Sequence, residues 1–413
     1  MASGTTPIEL NSFLTATLGI VVLFLGKSLN RRFRLLQEFT IPEPVSGGLL
    51  VALVITVLHL VFGLEISFGM RARDLLLVYF FTTVGMNASF TDLRRGGRSL
   101  VVLLALTITL MLAQNGLGVG LARWSGLPPA TGLLVGTVSL IGGHGTTIAW
   151  SPQFAAEHGV SNAAEIGIAA ATFGLILASA SGGPIARFLI RRHRLKPAAD
   201  PATPQPPTHP ETEPTPQPSA AVFSADDFLA AMLAINLCII FGSILQKLVR
   251  DLGLFLPLFV PCLIVGLLIS NLLPRREGRL PFGWPSRSPA LAVIAEISLG
   301  AFLAMSLMTI QVWTLVDLAG PLLLILAAQF ALALLITLLL VFPLLGGNYD
   351  AAVIAAGFSG FTLGSTPTAM ANMTAVTQRF GPSPKAFIVL PLVSAFFIDL
   401  LNAVMIPYFL SRG

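Results

Sequence analysis

The feature that most constrains this chain is the length of its apolar runs, which follow one another with short basic or turn-rich segments between them. A helix needs about 20 mostly apolar residues to cross a bilayer, and the chain holds many runs of that size. Stretches such as Leu100 to Leu112 do not alternate, which excludes the short alternating strands of a β-barrel. Charged residues make up 10% of the chain, against about 25% in soluble domains. Mean hydropathy is +0.84. The sequence therefore predicts an all-α polytopic membrane protein and excludes a soluble fold.

Ten spans are expected, five in each half. They cover 10–27, 44–63, 74–92, 99–123 and 162–186, then 226–248, 254–273, 289–313, 318–345 and 384–410. Two further apolar segments, 128–155 and 350–376, are cut in the middle by Gly and Pro. Non-helical backbone at membrane depth is tolerated where protein buries it or where it lines a cavity, so both read as re-entrant hairpins.

Nine prolines lie between Pro197 and Pro218, with almost no large apolar side chain among them. Such a run favours extended, solvated chain. The chain thus divides into an N-terminal repeat at 1–196, a linker at 197–224 and a C-terminal repeat at 225–413. The first ten residues lack Lys and Arg and carry Glu9, unlike a cleavable signal peptide. Two cysteines, Cys238 and Cys262, allow neither a disulfide framework nor a metal cluster.

Placing both termini outside puts 18 of the 24 Lys and Arg residues on the cytoplasmic side, as the positive-inside rule prefers. The net charge of +5 then reflects membrane orientation, and no nucleic-acid partner is implied. The linker becomes cytoplasmic. The first hairpin enters from outside and the second from the cytoplasm.

An odd number of spans per half makes the second half upside down relative to the first, and the halves echo one another in order. Gly48-Leu49-Leu50 matches Gly266-Leu267-Leu268, Phe81 and Gly85 match Phe302 and Ser306, and Gln114 matches Gln329. Gly145-Thr146-Thr147 matches Gly364-Ser365-Thr366. Two inverted-topology repeats of five transmembrane helices, each with a re-entrant hairpin, are the plan of a secondary transporter with its site near the midplane.

Substrate contacts are expected at the hairpin tips: Gly143, His144, Gly145, Thr146 and Thr147 in the first, and Gly364, Ser365, Thr366, Thr368 and Asn372 in the second. Glycines expose backbone N–H and C=O groups there. Thr366 is expected as N-cap with Pro367 following, which aims a positive helix end at the ligand. This set suits an anion together with a cation. Asp399, with Asn402 one turn on, is expected to coordinate a cation such as Na⁺ rather than merely pair with that asparagine, and Asn87 is a further candidate ligand that could instead line a polar path or bridge helices. Glu165 instead has capping-box spacing with Asn162.

Gly357-Phe358-Ser359-Gly360 has the form found around the nucleophile of rhomboid-type intramembrane proteases, and His144 could serve as its base. That alternative leaves the repeat unexplained. A channel would need a ring of matching ligands, which two unlike hairpins do not offer.

Thr40-Ile41-Pro42-Glu43-Pro44-Val45-Ser46-Gly47-Gly48-Leu49-Leu50 resembles a signature of the bacterial sodium:glutamate symporters. Gly142 to Thr146 and Gly364 to Met373 resemble that family's two loop motifs, and Asn348 to Val353 and Phe396 to Ala403 also match. The likeness spans nearly the whole chain apart from the Pro-rich linker. It implies Na⁺-coupled uptake of L-glutamate across a bacterial inner membrane, by alternating access and as a homodimer. It is a transporter family, not an enzyme family. Aspartate or another small carboxylate remains open as the substrate.

Overall fold

In a computed structural model of the chain, the structure describes residues 8–39, 41–87, 97–197, 224–251, 256–272, 284–311, 314 and 318–411. The Pro-rich stretch from 198 to 223 lies outside the described residues, as do the basic residues Arg94, Arg95, Arg275, Arg276 and Arg279.

The N-terminal half begins with a strand β1 (Ile8–Leu10), paired in parallel with β2 (Ile66–Phe68). Its helices are α1 (Ser12–Arg32), α2 (Arg34–Glu38), α3 (Glu43–Phe62), α4 (Arg71–Asn87) and α5 (Gly97–Trp124). They continue with α6 (Pro129–Val138), α7 (Gly143–Glu157) and α8 (Ala163–His193). The C-terminal half holds α9 (Ala225–Asp251), α10 (Phe259–Leu272), α11 (Pro289–Leu307) and α12 (Ala319–Leu344). It ends with α13 (Tyr349–Leu363), α14 (Thr366–Phe380), α15 (Pro384–Leu392) and α16 (Ile398–Leu410).

Seven of these helices, α1, α3, α5, α8, α9, α11 and α12, are long and apolar enough to cross a membrane. Two expected spans are shorter: α4 has 17 residues and α10 has 14. Each adjoins residues outside the described set. The span expected at 289–313 stops at Leu307. The one expected at 384–410 is not a single α-helix but α15, a π-turn at Val393–Phe397 and α16. Pro391 sits just before that π-turn, where its missing N–H weakens the regular ladder.

Both Gly- and Pro-cut segments fold as helix, break, helix. In the first, α6 carries a π-turn in which Gly136 has φ −98° and ψ −126°, and the chain turns again at Ile141 and Gly142 before α7. In the second, α13 stops at Leu363 and α14 starts at Thr366. Every residue of α13 except Asp350 is buried. A helix apolar on all sides belongs in a core, and α13 packs on α8 and α14.

Helix packing sorts the described residues into two groups that are not the two sequence halves. One comprises α1, α3, α4, α9, α10 and α11; the other comprises α5 to α8 and α12 to α16. Within the first, α3 packs on α11 and α10 on α4. Glycines set the approach of α1 and α3: a Cβ on Gly26 would strike the Glu43 carbonyl, and one on Gly47 the Val22 carbonyl. Between the groups, α11 against α7 is the one substantial helix packing among the described residues. Facing outward, α3 exposes Leu53, Val54, Val57, Leu60 and Val61, as a lipid-facing stripe does.

Candidate functional site

A cavity of about 460 Å³ opens where the two groups face each other. Its walls come from the tips of the two helix-break-helix segments, the last helix, and α1, α3, α4, α8 and α11. The tips meet there: a Cβ on Gly143 would lie 3.7 Å from the Gly364 carbonyl oxygen. Gly143 has φ +69°, the left-handed region that glycine enters without steric cost. That turn starts α7 directly at the cavity.

The second tip is capped one residue earlier than the sequence predicts. Ser365, not Thr366, is the N-cap: its Oγ accepts from the Thr368 N–H at 3.4 Å, and Thr366 is already helical. Pro at the next position disfavours helical backbone in the residue before it, yet Thr366 accommodates this as the first residue of the helix. The N-termini of α7 and α14 therefore both face the cavity. Each directs the positive end of a helix dipole at it, an arrangement that favours anions.

Of the expected substrate residues, Gly143, His144, Gly145, Thr146, Gly364, Ser365 and Thr366 line the cavity. Three others do not. Thr147 is fully buried, donating to the Gly143 carbonyl at 2.8 Å and lying 3.0 Å from Ser139 Oγ. Thr368 is buried behind the cap with its Oγ1 2.9 Å from Ser365 Oγ. Asn372 donates to the Ala178 carbonyl at 3.0 Å and the Ala356 carbonyl at 3.4 Å, so it pins α14 to α8 and α13.

His144 Nε2 lies 3.1 Å from Thr172 Oγ1. The Thr172 hydroxyl proton is committed to the Ile168 carbonyl at 2.8 Å, so the histidine Nε2–H is the donor. Ser359 is not beside it. The serine donates to the Ala356 carbonyl at 3.0 Å, is 1% exposed, and has Ser181 Oγ 3.5 Å away. An activated serine needs a base within hydrogen-bond reach, and neither of these partners is one.

Among the expected cation ligands, Asp399 lines the cavity and accepts from Thr146 Oγ1 at 3.5 Å. Asn402 is 1% exposed, outside the cavity lining, and its amide has no partner among the described residues. Asn87 ends α4 and accepts from the Arg287 N–H at 3.1 Å. The capping box expected at Asn162 does not form: its side chain makes no cap bond, and Glu165 accepts from the Gln311 N–H at 3.4 Å.

The sequence reading missed four polar residues on the cavity wall. Glu296 lies inside α11, and Glu43 pairs with Lys27 at 3.9 Å across α3 and α1. Ser394 is the fourth. A carboxylate inside an apolar span is itself a signal of function, and Glu296 carries it. A second cavity of about 510 Å³ lies between α7 and α4, α9 and α10, with Arg73, Asp74, Glu157 and Arg250 on its walls. Phe81 lines the first cavity and Phe259 the second, and their rings stand 4.5 Å apart.

Residues 8–382 match a family model described as Sodium/glutamate symporter. The chain is 41% identical over 402 residues to the sodium/glutamate symporter of Escherichia coli strain K12, covering 97% of this chain and 98% of that protein. It is 38% identical over 396 residues to the sodium/glutamate symporter of Haemophilus influenzae, covering 96% of each. No solved structure matches it significantly.

Proposed function

Because this chain belongs to the sodium/glutamate symporter family, we propose that it carries L-glutamate into a bacterial cell, coupled to Na⁺, by alternating access. It is a multi-pass membrane transporter and not an enzyme. The observation that carries the reading is the cavity between the helix groups, where two helix N-termini and the Asp399 carboxylate converge. Helix N-termini suit the carboxylates of an amino acid, and the aspartate suits a cation. Gly143 to Thr146 and Gly364 to Thr366 would hold the substrate. Thr147, Thr368 and Asn372 would act behind them by fixing hairpin shape. Na⁺ binds at Asp399 in this reading; Asn402 and Asn87 would support that helix and the α4 end from a distance.

The two breaks are read as re-entrant hairpins within inverted repeats at 1–196 and 225–413. Pairwise packing supports this: α3 on α11 is matched by α10 on α4, as a two-fold relation of the halves requires. Gln329 Nε2 donates to the Gln114 carbonyl at 2.8 Å, so two residues paired by the sequence echo also meet in space. Alternating access is supported by the sparse packing between the groups and by two cavities sharing the Phe81–Phe259 wall. Inner-membrane location and a homodimer belong to the same proposal, with the family likeness as their support.

Orientation with both termini outside and the linker at 197–224 cytoplasmic rests on the basic-residue bias. Reporter fusions at Pro206 and after Gly413 should report opposite sides, and a common side would reject the five-plus-five plan. The test of function is uptake of labelled glutamate by proteoliposomes. An inward Na⁺ gradient should drive accumulation that an equal K⁺ gradient does not; equal uptake rejects symport. Competition by unlabelled aspartate decides between glutamate and a broader carboxylate range.

A further inference from the structure

The last helix departs from α-helical winding at one place, the π-turn Val393–Phe397, and Asp399 follows it within two residues. In an unbroken α-helix, Ser394 and Asp399 would project about 140° apart, since each residue advances about 100°. The π-turn, with its i to i+5 repeat, turns them to one side, and both line the cavity. Ser394 is 6% exposed, and its hydroxyl has no hydrogen-bond partner among the described residues. A buried hydroxyl left unpaired is costly, so its place on the cavity wall calls for a ligand. Asp399 opposite it meets one hydroxyl, Thr146 Oγ1 at 3.5 Å, and no basic side chain within ion-pair distance among the described residues.

We infer that Ser394 Oγ, the Asp399 carboxylate and Thr146 Oγ1 together form a binding site for one monovalent cation, which clasps the last helix to the first hairpin. The inference rests on the symport reading and deepens it by naming the donor atoms. All three donors are oxygens, the set a hard cation selects. One carboxylate among neutral hydroxyls balances one positive charge; a divalent ion would leave an excess charge at membrane depth, where it is expensive. The described residues contain no group of three His, Cys, Asp or Glu side chains able to hold a transition metal. Because Thr146 belongs to α7 and the other two donors to the last helix, an occupied site ties together two elements that both line the cavity, one of them a hairpin tip.

The test uses the full chain in lipid nanodiscs and reads the rise in thermal unfolding temperature as Na⁺ replaces choline. The wild-type protein should be stabilised by Na⁺. Ser394→Ala should raise the Na⁺ concentration giving half the stabilisation about tenfold, the loss expected for one hydrogen-bonding ligand to a charge. Ser394→Thr, which keeps the hydroxyl, should stay near wild type. Monodispersity and the unfolding temperature in choline establish that each variant is folded; if Ser394→Ala is not, Thr146→Val is read instead and should show the same loss. A wild-type Na⁺ half-saturation in folded Ser394→Ala overturns the site while leaving symport standing. A wild-type protein that responds to neither Na⁺ nor glutamate overturns the site and the symport reading together.

Discussion

Ser365 and Asp399 face the same cavity with opposite chemistry, and this makes their substitutions separable. Ser365→Ala removes the cap on α14, at a cost of about 1 kcal/mol, and leaves the tip less ordered. Glutamate affinity should fall severalfold while the Na⁺ half-saturation stays put. Asp399→Asn keeps the shape and the Thr146 contact but removes the charge. It should raise the Na⁺ requirement and, through the coupling free energy shared by the two ligands, weaken glutamate as well. Glutamate affinity titrated against Na⁺ for both variants separates the effects. An unchanged Na⁺ dependence in Asp399→Asn would make that residue structural. The candidate site was partly legible at this scale. Glycines, hydroxyls and a carboxylate within an apolar run mark the cavity-lining tips and Asp399 in the sequence. Ser394 was not legible, because α-helical spacing from Asp399 selects Asn402, and only the π-turn brings Ser394 round instead. Thr147, Thr368 and Asn372 have the right chemistry for a site, but their hydrogen bonds are spent within their own segments or, for Asn372, also on α8.

At the scale of elements, hydropathy finds the long apolar helices but places some of their ends five to seven residues off, as at Arg32, His193 and Leu307, since apolar length is set by the cost of leaving lipid. What it does not locate are interruptions within apolar runs. The breaks at Ile141-Gly142 and Gly364-Ser365 announce themselves by glycine, whereas the π-turn at Val393–Phe397 has Pro391 as its sole herald. Partnering of helices is also absent from hydropathy, because a lipid-facing leucine and a protein-facing one look alike. Small residues mark it better. Gly26 and Gly47 let α1 and α3 touch backbone to backbone, the close approach that drives association in lipid. Gly26→Val should force these helices apart and cost at least the 1–3 kcal/mol typical of overpacking. The expected result is a lower unfolding temperature and loss of monodisperse protein. Wild-type behaviour would mean that α1 is held by other contacts.

For the whole molecule, the decisive fact is that the two packing groups each draw helices from both halves of the sequence, so the chain passes between them three times. The passages run from Asn87 to Gly97, from His193 to Ala225 and from Leu307 to Ala319. Fully stretched at about 3.3–3.6 Å per residue, the first can reach about 35 Å, the third about 40 Å and the middle one more than about 100 Å. Cutting Pro201 to Pro218 out of the middle passage should therefore leave glutamate uptake at its wild-type rate; a strong loss would assign that segment a task beyond joining the halves. The mechanical consequence is a leash of unequal cords. By chain length alone, the separation of the two groups at these passages cannot exceed what the ten-residue step between Asn87 and Gly97 can span, well before the Pro-rich passage would set a bound.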